Sequence, residues 1–193
     1  MERRTSIVDL EVRAGEGESA APMIVGYAAV FNQLSEDLGG FRERIAPGAF
    51  TKALGDDVRA LFNHDPNIVL GRTRSKTLRI SEDAKGLAIE IDPPATPAAL
   101  ALLESMRRGD ISQMSFGFVT VKDAWDMIDG TAIRTLIEAR LFDVSPVTYP
   151  AYPQTEVALR SLAEFRKLSE TPTLPDMGDL ARMKMLTMQA SIS

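Results

Sequence analysis

Two long strand-like runs fill the second half of this 193-residue chain. They read QMSFGFVTVKDAW, beginning at Gln113, and GTAIRTLIEARLFDVSPVTY, ending at Tyr149. Between them lies Asp129-Gly130, a strong hairpin signal because tight hairpin turns need positive φ angles that Asp and Gly tolerate. The sequence therefore predicts a long antiparallel hairpin as the main element of the fold.

The residues before this hairpin predict further strands and few helices. Strand patterns cover residues 5–13, 22–31, 58–62, 67–73 and 77–92, and a short helix is expected over residues 46–54. The clearest helix begins after Thr96, which can cap it, continues through Pro97, Leu103 and Met106, and closes before Gly109. The predicted fold class is α+β, a β-rich domain with few helices.

The chain divides near the proline cluster that starts at Pro150. We expect residues 1–155 to form one folded domain, which is an ordinary size for a single core. Residues 156–193 are predicted to form a helix followed by a weakly ordered tail, because Pro172 and Pro175 interrupt the sequence after the helical pattern.

Composition excludes several classes of function. A net charge of −5 and a pI near 5.0 argue against a nucleic-acid-binding protein. The absence of cysteine excludes disulfides and thiolate metal sites, and the single histidine argues against a metal site. No apolar run approaches the ~20 residues that cross a bilayer, and no apolar segment follows the N-terminal arginines as a secretory signal requires. We predict no metal, cofactor or membrane partner.

A serine hydrolase is compatible with the remaining residues. Without cysteine, a covalent mechanism needs Ser, Thr or Lys as nucleophile, and His64 is the only imidazole that could activate it. Ser115 begins a strand, and Gly117 beside it would let a backbone N–H approach an oxyanion. Glu138 and Asp143 on the following strand are candidates for the carboxylate that orients the imidazole.

Each of these residues also has a structural interpretation. A lone histidine at a strand end is commonly a surface or hydrogen-bonding residue, and a serine within a strand is commonly structural. Glu138 alternates with apolar neighbours on a strand that also carries Arg134 and Arg140, a pattern typical of a solvated charged stripe. The residues alone lead to a β-rich α+β domain with serine hydrolysis as one possible chemistry.

The ordered series of motifs between about residues 20 and 155 resembles the prohead (capsid maturation) protease family of tailed bacteriophages. The matching segments are GYAAVFN from Gly26, ERIAPGAF from Glu43, LFNHD from Leu61, LGRT from Leu70, RRGD from Arg107, QMSFGF from Gln113 and LFDVSPVTYPAY from Leu141.

The resemblance implies a barrel-like sheet with surrounding helices, similar to the herpesvirus assembly protease. It implies Ser115 as nucleophile, His64 as general base and an acidic third member. We place that member at Glu138, because a mid-strand backbone aims its side chain, with Asp143 as the alternative. Arg72, or the backbone near Gly71, is a candidate support for the oxyanion.

The resemblance also implies a function and its setting. The chain would be a serine endopeptidase that cleaves the scaffolding segment of the major capsid protein, and itself, during prohead maturation. It would act in the host cytoplasm and inside the assembling procapsid, with a homodimer implied by the herpesvirus relation. The alternatives are a catalytically inactive capsid-assembly or scaffold module of the same fold and a hydrolase of small esters or amides.

Overall fold

The computed structural model describes residues 1–7, 10–14, 21–149 and 156–169. These residues form mainly strands, as the alternating patterns predict. The strands are β1 (Glu2–Ile7), β2 (Glu11–Arg13), β3 (Met23–Val30), β4 (Phe41–Ile45), β5 (Arg59–Phe62), β6 (Asp65–Arg72), β7 (Leu78–Glu82), β8 (Gly86–Ile91), β9 (Gln113–Ile128) and β10 (Thr131–Val147). The helices are α1 (Pro97–Arg107) and α2 (Glu156–Ser169), with a 3₁₀ turn at Lys52–Gly55.

The described strands pair into two sheets. The larger sheet has the order β1-β9-β10-β5-β6, with β4 also paired to β10, and the smaller sheet has the order β2-β3-β8-β7. The predicted strand-rich α+β class with few helices is confirmed. The barrel-like closure is not seen in the described residues, where both sheets are open, and the herpesvirus relation stays a prediction.

The long β9–β10 hairpin turns where the sequence predicts. Asp129 and Gly130 have φ angles of 48° and 76°, the left-handed conformation that a tight hairpin turn requires. The pairing of the two strands shifts register three times between Leu136 and Asp143. Such bulges bend a strand and re-aim its side chains.

The main core lies between the two sheets and α1. Phe116 and Phe118 of β9 are fully buried, as are Ile24 and Ile91 of the smaller sheet. In α1, Thr96 caps the first turn through its side chain, and the buried face consists of Ala99, Leu102, Leu103 and Met106. Leu100 lies outside this face of the helix and is 51% exposed.

Two predicted elements differ in the structure. The expected helix over residues 46–54 is reduced to the 3₁₀ turn, because Gly48 adopts a φ of 85° that a right-handed helix cannot contain. The single predicted strand over residues 5–13 is two strands, β1 in the larger sheet and β2 in the smaller one. Residues 8 and 9 lie outside the described residues.

Helix α2 forms as predicted and packs on the β9–β10 hairpin. Leu162 is buried in a small apolar cluster with Phe41 of β4 and Ala132 of β10. The ring of Phe165 stacks on Trp125 with 5.6 Å between centroids, and the indole Nε1 of Trp125 donates to Ser161 Oγ at 2.9 Å. The predicted domain boundary at residue 155 stays a prediction, and residues 170–193 lie outside the described residues. Within the described part, no helix has the length and apolarity to cross a membrane.

A cluster of buried ion pairs joins β1, β4, β9 and β10; we call it the ionic cluster. Glu2, Arg4, Glu43 and Arg134 are each at most 5% exposed. Arg134 contacts Glu2 at 2.8 Å, Glu43 at 3.1 Å and Asp123 of β9 at 2.7 Å. Arg4 contacts Glu43 at 2.8 Å and Glu2 at 3.0 Å, so the two guanidinium groups share the two buried carboxylates.

Candidate active site

The turn between β5 and β6 positions His64. Phe62 pairs with Asp65, which leaves Asn63 and His64 as the two loop residues of a hairpin. Their φ angles are 53° and 57°, and positive φ at both central positions is the mark of the tight turn that matches strand twist. A left-handed histidine is uncommon, and such outliers concentrate at functional sites.

Asn63 fastens this turn to the end of β10. Its backbone N–H donates to Pro146 O at 3.0 Å, and its amide Nδ2 donates to Thr148 Oγ1 at 3.1 Å. The N–H of Thr148 donates back to Asn63 Oδ1 at 2.9 Å. These three bonds fix the imidazole relative to the strand that carries Asp143.

Strand register brings Ser115 and Asp143 to the same face of the larger sheet. Ser115 of β9 pairs with Ser145 of β10, and Gly117 pairs with Asp143 two positions along. Because side chains alternate across a sheet, residues two apart on one strand share a face. Ser115, Ser145 and Asp143 therefore lie together beneath the β5–β6 turn.

A continuous hydrogen-bonded chain connects three of the predicted site residues. His64 Nε2 lies 2.7 Å from Ser115 Oγ, and His64 Nδ1 contacts Asp143 Oδ1 in a short hydrogen bond. The side chains of His64 and Asp143 are 6% and 7% exposed, and Ser115 is fully buried.

This arrangement has the geometry needed for proton transfer from a hydroxyl. A hydroxyl within 2.6–3.2 Å of an imidazole nitrogen can lose its proton to that nitrogen as it attacks an electrophile. A carboxylate on the other ring nitrogen holds the tautomer whose lone pair faces the hydroxyl. The low exposure of the three groups strengthens each of these electrostatic interactions.

Glu138, the preferred third member in the sequence analysis, is not at the histidine. Its carboxylate lies 2.8 Å from Lys52 Nζ in an ion pair beside the 3₁₀ turn. Glu138 lies five positions before Asp143 along β10, which is roughly 16 Å at about 3.3 Å per residue. The register shifts between the two residues also change the direction of their side chains. The structure instead brings the alternative, Asp143, into contact with His64.

Arg72, predicted to support an oxyanion, is engaged elsewhere. Its Nε and Nη2 donate to the two carboxylate oxygens of Asp57 at 2.8 and 2.6 Å. The hydrogen bonds from Arg72 lower the pKa of Asp57 to about 2. The bidentate pair fixes the guanidinium. Its strand, β6, is the edge strand of the larger sheet and is separated from β10 by β5.

Gly117 lies against Asp143. A Cβ added to Gly117 would approach Asp143 Oδ2 closer than the 3.0 Å that real Cβ atoms respect. The lack of a side chain at this position therefore leaves space for the carboxylate. Gly117 was predicted to help form an oxyanion site, whereas the structure places it against the acid.

Two contributors to the site were absent from the sequence analysis. Ser145 Oγ donates to Asp143 Oδ1 at 2.9 Å, and Asn63 fastens the histidine turn as described above. Asn63 could have been found, since Asn precedes His64 where a two-residue turn joins two strand patterns. Ser145 carries no comparable signal, because its role depends on pairing with β9.

Residues 8–168 match the protein family described as the caudovirus prohead serine protease. This chain belongs to that family. The match covers more than half of the chain and confirms the resemblance that the motifs carry.

One relative, found by its sequence, agrees with this membership. A prohead protease of Enterobacteria phage HK97 is 33% identical over 147 residues, which cover 74% of this chain and 61% of the relative. The matched region thus spans about three fifths of that relative's length. Among solved structures, the bacteriophage T4 capsid assembly protease gp21 matches with 12% identity and a TM-score of 0.43, over 76% of this chain and 99% of that one.

Proposed function

We propose that this chain is a serine endopeptidase that cleaves the scaffolding segment of the major capsid protein, and itself, during prohead maturation. The observation that carries the proposal is the hydrogen-bonded chain from Ser115 Oγ through the His64 ring to Asp143 Oδ1. Membership in a family described as prohead serine proteases supports the substrate class. The name of the HK97 relative, a prohead protease, supports it as well.

In the proposed mechanism Ser115 is the nucleophile and His64 the general base. His64 Nε2 takes the hydroxyl proton while Oγ attacks the scissile carbonyl, and a tetrahedral oxyanion forms. The imidazolium then donates its proton to the leaving amine, the C–N bond breaks and an acyl-enzyme remains. Water, activated by His64, hydrolyses the ester and restores the free hydroxyl.

Asp143 is the proposed third member, in place of Glu138. Its carboxylate accepts a hydrogen bond from Nδ1–H of His64, so the Nε2 lone pair faces Ser115, and it stabilises the imidazolium that forms during attack. The ion pair of Glu138 with Lys52 suits a structural role. Arg72 is held by Asp57, and we assign it no role in stabilising the oxyanion.

The proposed setting follows from the substrate. A protease that removes an internal scaffolding segment acts inside the assembling procapsid, in the host cytoplasm. The C-terminal helix and tail, from about residue 155, are proposed to be a targeting or self-cleaved segment. The homodimer that the herpesvirus relation implies is retained as part of the proposal.

Co-expression with the cognate capsid protein tests the proposal. Wild-type protein should shorten the capsid protein, and Ser115→Ala should leave it intact. Ser105→Ala, which changes an exposed serine that bonds a carbonyl within α1, is the matched control and should cleave normally. Identical uncut bands from wild type and Ser115→Ala would instead favour the inactive assembly module.

A small-ester substrate distinguishes the proposed endopeptidase from the remaining alternative, a hydrolase of small esters or amides. A chain that hydrolyses such esters efficiently through Ser115 and leaves capsid protein uncut would be a small-molecule hydrolase. The endopeptidase proposal expects capsid cleavage that is abolished by His64→Ala.

A further inference from the structure

Ser145 lies next to the candidate triad and hydrogen-bonds the carboxylate of Asp143. It is fully buried and pairs directly with Ser115 across the β9–β10 ladder. We propose that Ser145 is a positioning residue that holds the Asp143 carboxylate against His64. This inference rests on the proposed function, because positioning matters only if Asp143 serves the histidine.

The hydroxyl and the imidazole meet the same carboxylate oxygen. Ser145 Oγ donates to Asp143 Oδ1 at 2.9 Å, and Oδ1 is also the atom that contacts His64 Nδ1. A carboxylate oxygen has two lone pairs, so it accepts both bonds without competition for one position. The terminal torsion of an aspartate is otherwise broad, and two donors at one oxygen restrict its rotation.

The other oxygen of Asp143 is confined by the backbone of β9. Asp143 Oδ2 occupies the space that a side chain at position 117 would need. The carboxylate thus lies between the Ser145 hydroxyl and the surface of Gly117. Both positions are fixed by the same β9–β10 register that places Ser115.

A buried serine could bond Asp143 merely to satisfy its own hydroxyl. That structural role and the positioning role differ in their effect on the histidine tautomer. If Ser145 positions Asp143, its loss lets the carboxylate turn away and weakens the preference for hydrogen on Nδ1. If Ser145 only satisfies itself, the tautomer remains as in the wild type.

The single histidine makes this difference measurable. Nitrogen-15 NMR of untagged protein labelled at histidine reports the protonated ring nitrogen of His64 alone. In a Ser115→Ala background, which prevents self-cleavage, Ser145→Ala should lower the population of the neutral Nδ1–H tautomer toward that of Asp143→Asn. Ser145→Thr keeps a hydroxyl and should keep the tautomer of the background protein.

Kinetics of the active protein provide a second readout. Ser145→Ala should lower kcat by about tenfold to a hundredfold with KM nearly unchanged, because small misplacements at a reaction centre cost rate rather than binding. Ser145→Thr should recover most of that loss, and the control Ser105→Ala should show none. If Ser145→Ala does not fold, Ser145→Cys replaces it, since a thiol is a much weaker donor.

An unchanged tautomer in Ser145→Ala, alongside a changed one in Asp143→Asn, would overturn the inference. A failure of the proposed function has a different signature. In that case wild type and Ser115→Ala show equal activity, and Asp143→Asn has no kinetic effect.

Discussion

The larger sheet carries two buried polar groups on opposite faces of the same strands. On β9, Ser115 belongs to the face with Asp143 and Ser145, whereas Phe116 and Thr120 belong to the face of the ionic cluster. The proposed triad holds one carboxylate, one imidazole and one hydroxyl, joined by hydrogen bonds along which protons can move. The ionic cluster joins guanidinium groups, which keep their protons, to carboxylates.

This difference separates function from stability within one sheet. Desolvation by burial raises the pKa of Glu43. Burial acts in the same direction on Glu2, but the hydrogen bonds from Arg134 and Thr120 together with the charges of Arg134 and Arg4 lower the pKa of Glu2. Both carboxylates depend on the same arginine. We therefore expect changes in the triad to remove activity with little effect on folding, and changes in the ionic cluster to do the reverse.

The largest expected effect is on the triad. Asp143→Asn should lower kcat for capsid cleavage by about 10⁴-fold, the loss seen when such an aspartate is replaced and the wrong tautomer forms. That factor equals roughly 5 kcal/mol of transition-state stabilisation. Rates are measured by quantifying cleaved capsid protein over time.

Glu138→Gln is the matched control for Asp143→Asn. It removes a carboxylate from the same strand and breaks only a largely exposed ion pair with Lys52, so its rate should stay near wild type. A large loss in Glu138→Gln with little loss in Asp143→Asn would return the third position to Glu138.

The next effect is on stability and concerns the ionic cluster. Arg134→Ala leaves Glu2 and Glu43 buried with one guanidinium between them, and breaking a buried pair costs about 3–5 kcal/mol. Urea unfolding should show this loss in the free energy of unfolding. Asp143→Asn, measured in the same way, should stay much closer to wild type.

Arg140→Ala tests whether the loss reflects burial. Arg140 lies on the same strand but is exposed, so its replacement should change the free energy of unfolding by no more than about 0.5 kcal/mol. Equal losses in the two arginine variants would remove the distinction between the ionic cluster and the surface of the sheet.

The same comparison explains what the sequence could predict. The hairpin at Asp129-Gly130 and helix α1 depend on residues that are neighbours in sequence, and both formed as predicted. Arg134 was interpreted as part of a solvated stripe, yet it is 1% exposed. Its buried partners Glu2 and Glu43 lie 132 and 91 positions away, a distance at which alternation carries no information.

The third triad member shows a related difficulty. Glu138 and Asp143 are both acids on β10, and choosing between them requires knowing which residue pairs with β5. Asp143 pairs with Arg59 at the start of the strand that leads into His64. Bulges in β9 and β10 set that register, and single-strand periodicity cannot locate a bulge.

A moderate effect is expected at Gly117, on the triad face. Gly117→Ala places a methyl group where Asp143 Oδ2 lies, so the carboxylate must shift relative to His64. A displacement of that kind should lower kcat by about a hundredfold. Gly55→Ala, where a Cβ meets nothing within 4 Å, is the control. Normal cleavage by Gly117→Ala would show that the position of Asp143 tolerates such a shift.

The smallest effect is expected at Arg72, which belongs to neither buried group. Arg72→Gln should leave kcat unchanged because the guanidinium is bound to Asp57 and not directed at Ser115. Only stability should respond, by a small amount and at pH values where Asp57 is ionised. The folded-state pKa of Asp57 is about 2, below its ordinary value of 3.8. This ion pair therefore stabilises the fold at pH values above 3.8, and the stabilisation is lost as the pH falls through about 2.

Urea unfolding at several pH values checks this last expectation. The difference between wild type and Arg72→Gln should be small near neutral pH, because the pair is exposed, and should vanish as Asp57 becomes protonated. Cleavage assays on the same two proteins provide the other half of the test. A rate loss as large as that of Gly117→Ala, with stability unchanged, would bring Arg72 into the reaction and extend the triad face as far as the β6 edge.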